Sequence, residues 1–351
     1  MLKDILRHDL EEIYRRDFNW QLFNNKTVLI TGAYGMLASY VTLFFIFLHE
    51  QKEINVNLIL MVRSKEKLEK CIGNKYREFI NVCYDSLYDK IKIESDIDYI
   101  IHAASLASPQ YYSTCPVDVL APNTIGTYNL LNFAREKSVD AFLLFSTGDI
   151  YGRVTETNIV RENNYGILDT LDIHNCYSES KRMAETMCYS FFKQYDVPVK
   201  IARIWHTYSP TMDENNDPRV FSSFVKNVVS GENIVMRSDG SGKRAFCYIT
   251  DAVYGFFKIM IDGLSGEAYN VCNESQFVSV LELANIIVNL RPQKQLKIIA
   301  KKRKADDNYV ENIHLAGIDV CPSSEKLRLL GWKPDIDLQT GFDRVFQYKG
   351  I

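Results

Sequence analysis

Apolar positions in this chain fall into short continuous runs, and between the runs they recur every three or four residues. KTVLIT (26–31), NLILMV (57–62), EFINVC (78–83), DYIIHA (98–103), AFLLFST (141–147) and VKIARI (199–204) are the short runs. Helical spacing marks NTIGTYNLLNFAREK (123–137), the stretch after Gly35 as far as His49, and the segment that holds YSESK (177–181). Continuous apolar strands separated by helices predict an α/β protein with a parallel sheet covered on both faces.

The flanking regions read differently. Leu2, Ile5, Leu6, Leu10, Ile13 and Tyr14 give residues 1–24 the pattern of an amphipathic helix ahead of the first strand. YVTLFFIFLH (40–49) is the most apolar run, but it is too short to span a bilayer and predicts a buried helix. Residues 210–247 are richer in Gly, Pro, Asp, Asn and Ser and read as loops with one helix, FSSFVKNVVSG. KIIAKKRKADD, near residue 300, is basic and then acidic and reads as a solvated surface.

Composition narrows the function classes. A chain of 351 residues with 46% hydrophobic and 24% charged residues is ordinary for a globular protein with a substantial core. The formal net charge of −3 gives no footprint for a nucleic-acid partner. No pair among the 8 cysteines forms C-x-x-C and histidine is sparse, so neither a zinc cage nor a disulfide framework is suggested. Reduced thiols in a cytoplasmic setting are the plain expectation, and the charged N-terminus lacks a signal-peptide layout.

Two local patterns carry chemistry. TGAYGMLA (31–38) follows the first strand and opens a helix, with Gly32 and Gly35 spaced G-x-x-G and Ala38 at the third small position. Such a loop suits a tight turn and suits equally a dinucleotide pyrophosphate resting on the helix N-terminus. Its place near the chain start favours the cofactor. Arg63, after the second strand, fits a 2′-phosphate or stacking on adenine, so NAD and NADP both stay open. Asp85, after the third strand, is a candidate for the adenine amino group or a plain loop aspartate. The second pattern is YSESK, where Tyr177 and Lys181 share one helix face. A lone pair of this kind is usually surface decoration.

Taken together, TGAYGMLA, HAASLASP, STGDIYG and YSESK resemble the extended short-chain dehydrogenase/reductase superfamily, which acts on nucleotide sugars. Within it, HAASLASPQYYSTCPVDVLAPNTIGTYNLL, KRMAETMCYSFFKQYDVPVKIARIWHTYSPTM, NDPRVFSSFV and DGSGKRAFCYITD resemble the UDP-glucuronate decarboxylases. The resemblance implies that Tyr177 is an acid–base, that Lys181 lowers its pKa and holds the nicotinamide ribose, and that Thr147 supplies a third hydroxyl. Ser146 should point to the opposite side of the strand. The resemblance also places Tyr34, Met36, Leu37, Ala103, Ala104, Ser105 and Thr207 with the glycines at the cofactor. Ser108, Tyr111, Tyr112, His206, Arg219, Val220 and Arg244 fall at the sugar nucleotide, where arginine suits carboxylate and diphosphate.

The departures from that family cluster. Gly148-Asp149 stands where the decarboxylases have Ser-Glu, and the glycine argues against the acidic pair of a 4,6-dehydratase. Asp149 also sits in good turn chemistry. His206 replaces an Asn, Ser209 a Gly and Thr211 an Arg. A 4-epimerase, a dehydratase-like enzyme, an NADP-dependent oxidoreductase and, from another class, a non-catalytic dinucleotide-binding protein remain as alternatives. The expected layout is a helical extension over 1–25, a Rossmann-like domain over 26–205 with seven parallel strands and returning segments near 245–272, and a sugar-binding lobe mainly in 206–351. The resemblance further implies a homodimer through the helices 123–137 and 177–195, and a UDP-sugar as substrate.

Overall fold

The structure is a computed structural model that describes residues 4–74, 77–300 and 319–351. Seven parallel strands form its central sheet, in the order 268–271, 199–204, 141–147, 99–102, 26–31, 56–61, 80–83. Six of them are the apolar runs read from the sequence; the seventh, Ala268–Val271, returns from the C-terminal third and pairs with Val199–Ile204. The strand order reverses between Lys26–Thr31 and Tyr99–His102, so the crevice for a ligand opens there, beyond the C-terminal strand ends.

The Met36–Gln51 helix is apolar all round and every residue from Ala38 to Leu48 is buried. Its Phe44 and Phe45 meet Trp20, Phe23 and Phe257 in one aromatic cluster. Among the described residues no helix is long and apolar enough to cross a membrane. The first helix spans Asp4–Tyr14, shorter than its apolar pattern suggested, and Trp20–Phe23 form a separate 3-10 turn. Leu2 lies outside the described residues. The helix is fastened by buried Asp9, whose carboxylate accepts from Tyr40 (3.0 Å), Tyr248 (2.8 Å) and Arg344 (3.0 Å).

The helical reading of 123–137 holds, and the loop reading of 210–247 needs correction. The 123–137 segment opens in a π-helical turn, Pro122–Gly126, before the α-helix Thr127–Lys137. Pro122 has no N–H to give a regular helical bond, which accommodates the wider turn. The 210–247 region contains the expected helix, Val220–Ser230, but also strands at Ile234–Met236 and Lys243–Tyr248. Their partners, Ile298–Ala300, His206–Tyr208 and Phe277–Ser279, lie far off in sequence, so local composition could not announce them. Most of KIIAKKRKADD lies outside the described residues.

Candidate active site

Gly32 turns with φ +67°, and a Cβ there would meet the Ala104 Cα at 2.8 Å. The glycine is therefore needed both for conformation and for close approach of the two strand-end loops. Gly35 has an ordinary backbone and stands at the N-terminus of the Met36–Gln51 helix, where Met36 and Leu37 begin the first turn. Thr31 Oγ1 accepts from the N–H groups of Ala103 (3.2 Å) and Ala104 (3.1 Å), locking the first loop to the fourth. Thr31 Oγ1 also lies 2.9 Å from His102 Nδ1, and His102 Nε2 lies 3.0 Å from Thr127 Oγ1. Thr127 gives its proton to the Asn123 carbonyl, so His102 must donate from Nε2 and accept at Nδ1. Burial, with Lys181 nearby, lowers His102 to about 3 and keeps it neutral.

This cradle fits a dinucleotide: a glycine-lined loop, a helix N-terminus, and a buried Ser105 hydroxyl with no partner. Tyr34 is half-buried beside the loop. Arg63 and Asp85 are exposed at the C-terminal ends of their strands, on the side where the crevice opens.

The catalytic candidates converge from two elements. Thr147 ends the Ala141–Thr147 strand, and Tyr177 and Lys181 lie one turn apart on the Cys176–Tyr195 helix. Thr147 Oγ1 accepts from the Asp149 N–H at 3.2 Å. Ser146 instead bonds Glu185 Oε1, which Arg203 holds bidentately. Lys181 is fully buried, donates to the Phe145 carbonyl at 2.7 Å, and is lowered to about 8 by burial. Tyr177 departs from expectation. Burial and the Asp149 charge push its phenol up, opposed by Thr147 and Arg219, and the Lys181 ammonium lies 6.0 Å from its ring. Asp149 is exposed to solvent, yet the dense protein around it raises its carboxyl, against pulls from Thr147, Arg244 and Arg219.

Several substrate candidates gather around Tyr177 and Asp149. Tyr112 stacks on Tyr177 (5.3 Å, 11°) with its hydroxyl tied to the Ala107 carbonyl, and Tyr111 packs beside them. Ser108 Oγ and His206 Nδ1 are buried without a partner. Burial with Arg244 and Arg219 holds His206 at about 3, so it meets a ligand as a neutral ring. Arg219 precedes Val220 at the start of a helix and is held by Asp217 through Nε (2.9 Å) and Nη2 (2.6 Å), a partner absent from the sequence reading. Arg244 bonds only the neighbouring Lys243 carbonyl among the described contacts. Thr207 is buried, its hydroxyl on the Trp205 carbonyl.

Trp205 was also missed. Its ring covers Gly148, and the only signal was its position beside His206 in RIWHTYS.

A seven-stranded parallel sheet, a glycine cradle at its switch point and a Thr–Tyr–Lys set beside it define a dinucleotide-dependent short-chain dehydrogenase fold. The chain belongs to the NAD dependent epimerase/dehydratase family, whose model matches residues 28–272, and NAD is its cofactor. It is 32% identical over 326 residues to UDP-glucuronic acid decarboxylase 1 of Danio rerio, covering 93% of this chain and 73% of that one. It is 30% identical over 319 residues to UDP-glucuronic acid decarboxylase 6 of Arabidopsis thaliana, covering 91% and 87%. The UDP-glucuronic acid 4-epimerase of Bacillus cereus, solved with UDP-glucuronic acid and NAD, superposes with a TM-score of 0.73 at 17% identity, covering 92% and 99%. That last likeness speaks for the fold.

Proposed function

We propose that this enzyme decarboxylates UDP-glucuronate after transient oxidation of the sugar at C4. The observation that carries the reading is a single carboxylate, Asp149, beside Thr147 and Tyr177, with the neighbouring position 148 closed by the Trp205 ring. No second acid fits there, so eliminating water, which needs an acid and a base, is disfavoured. Loss of carbon dioxide needs no such pair, because a C4 ketone takes up the electrons of the breaking bond. The decarboxylase relatives support the same choice.

Bound NAD supplies the hydride acceptor and donor at C4. The Gly32 loop, Ser105 and the start of the Met36–Gln51 helix would hold its pyrophosphate, and Lys181 its nicotinamide ribose. Tyr177 takes the proton from the C4 hydroxyl and later returns it. Its phenol is held high, so positive charge must lower it before it acts as a base, and Arg219 already pulls that way. Thr147 donates a hydrogen bond to the same oxygen. Arg219 and Arg244 face the anionic groups of the substrate, the diphosphate and the carboxylate, with Ser108, Tyr111, Tyr112, His206 and Val220 around the sugar nucleotide. Asp149 orients the sugar and delivers a proton to C5 once carbon dioxide has left.

The sugar-binding lobe, mainly 206–351, and a homodimer belong to this proposal. Ile125, Tyr128, Met183 and Tyr189 are exposed on the two adjoining helices, which supports pairing through them. All 8 cysteines are free, in keeping with a cytoplasmic setting. The test is incubation with UDP-glucuronate and NAD, followed by mass spectrometry. A UDP-pentose is expected; a product of unchanged mass would make the enzyme a 4-epimerase, and no turnover would remove the reading. Tyr177→Phe should abolish turnover, about 10²–10⁴-fold, while NAD still binds.

A further inference from the structure

Gly148 has no positive φ, so its backbone does not require glycine. Space does. A Cβ at 148 would lie 2.6 Å from Trp205 Cδ2 and Cε2 and 2.9 Å from Cε3. No real Cβ tolerates such contacts, and the ring they meet is not free to swing. Trp205 Nε1 donates to Asn270 Oδ1 at 3.0 Å, its face stacks on Tyr151 (5.7 Å, 24°), and its backbone N–H bonds the Val271 carbonyl at 3.2 Å.

The anchor is itself anchored. Asn270 is fully buried; its Oδ1 also accepts from the Tyr151 hydroxyl at 2.8 Å, and its amide donates to the Ser323 carbonyl at 3.1 Å. Arg203 donates to the same Tyr151 hydroxyl at 2.9 Å and pairs with Glu185 on the helix that carries Tyr177 and Lys181. The indole is thus pinned from the returning strand, from the turn after Thr147 and, through Arg203, from the catalytic helix. The ring also lies against Gly148, where a built Cβ would strike its Cδ2 and Cε2 atoms. Thr147 and Asp149 are the two neighbours of that glycine, and both belong to the site.

We infer that Trp205 is a positioning residue: its ring, seated on the bare backbone of Gly148, sets how far the Asp149 carboxylate reaches into the cleft. The inference rests on the reading that Asp149 serves the reaction. It also assigns a reason for the glycine. Aspartate is short, and backbone drawn tight against an aromatic plane fixes where that short side chain ends. An added methyl at 148 lifts Asp149 away from the ring; a smaller side chain at 205 lets the turn sink. Displacements of about 1 Å at a reacting group cost on the order of 10²-fold in rate.

The experiment is a double-mutant cycle on the full chain with NAD and UDP-glucuronate, reading kcat and KM separately. Gly148→Ala should lower kcat about 10²-fold with KM within about 3-fold, because Asp149 is displaced and the arginines are not. Trp205→Leu should also lower kcat. Gly148→Ala combined with Trp205→Leu should turn over at least ~10 times faster than the product of the single effects, since the methyl now has room. Additive effects, or a Gly148→Ala enzyme with wild-type kcat, overturn the inference. Trp205→Phe removes the bond to Asn270 and shrinks the ring that lies against Gly148, so it answers even if Gly148→Ala does not fold. A kcat lowered several-fold with unchanged KM supports positioning; wild-type kcat refutes it. Asp149→Asn separates the two layers: if that variant turns over normally, the role given to Asp149 fails, whatever the cycle shows.

Discussion

Replacing Gly32 with alanine probes the cofactor cradle at its narrowest point. The residue sits at φ +67°, where a side chain costs roughly 1–2 kcal/mol. The added Cβ would also stand 2.8 Å from the Ala104 Cα and 3.0 Å from its nitrogen. Both are backbone atoms, held in place by Thr31 Oγ1, so neither can rotate aside. Overpacking of that kind costs about 1–3 kcal/mol. The sum, roughly 2–5 kcal/mol, is a large part of the about 5–15 kcal/mol typical of a folded domain. The strain falls between the two loops that would clasp the pyrophosphate, so binding should suffer with stability. Urea titration with and without NAD, together with calorimetric titration of NAD, reads both quantities. The expected result is a lower midpoint without cofactor, a smaller gain on adding NAD, and NAD affinity weakened by at least ~10-fold, which corresponds to about 1.4 kcal/mol. Unchanged affinity and midpoint would mean that the loops are not pressed together as described, and the cradle reading would fall.

Further outcomes follow from buried charge. Arg203→Met leaves Glu185 buried without its bidentate partner, so stability should drop by about 3–5 kcal/mol in denaturant titration; a drop below ~1 kcal/mol would contradict the buried pairing. Asp9 is raised to about 6, by burial against the pull of Tyr248 and Arg344. Its folded form holds a proton that the unfolded chain releases near 4, so its contribution to stability is largest below that pH and declines until about 6. Wild type should therefore lose stability relative to Asp9→Asn between pH ~4 and ~6, and a gap that does not change with pH would refute the assignment. Asp251, also raised to about 6 by burial, should act in the same direction in its own Asp251→Asn comparison.

Local sequence spoke most clearly where one short segment does one job. The inner strands showed as continuous apolar runs because both of their faces are covered, and the Gly32 loop showed by its place after the first of them. Tyr177 and Lys181 were visible because four residues make about one helical turn. What stayed hidden depends on residues distant in sequence. The strand Lys243–Tyr248 exists because His206–Tyr208 and Phe277–Ser279 bond its two edges. Asp217 was passed over although it is only two residues from Arg219, since a loop aspartate names no partner.

The sequence alone determined six strands of the central sheet and the helices between them, the turn that glycine makes at position 32, and which hydroxyl and ammonium share a helix face, because each follows from backbone sterics and the period of a single element. The tertiary structure alone decided the environment of those groups. Burial and the Asp149 charge raise the Tyr177 phenol, and a pinned indole occupies the space beside Gly148. Proton affinity and free volume depend on every atom nearby, and here those atoms come from stretches far apart in sequence.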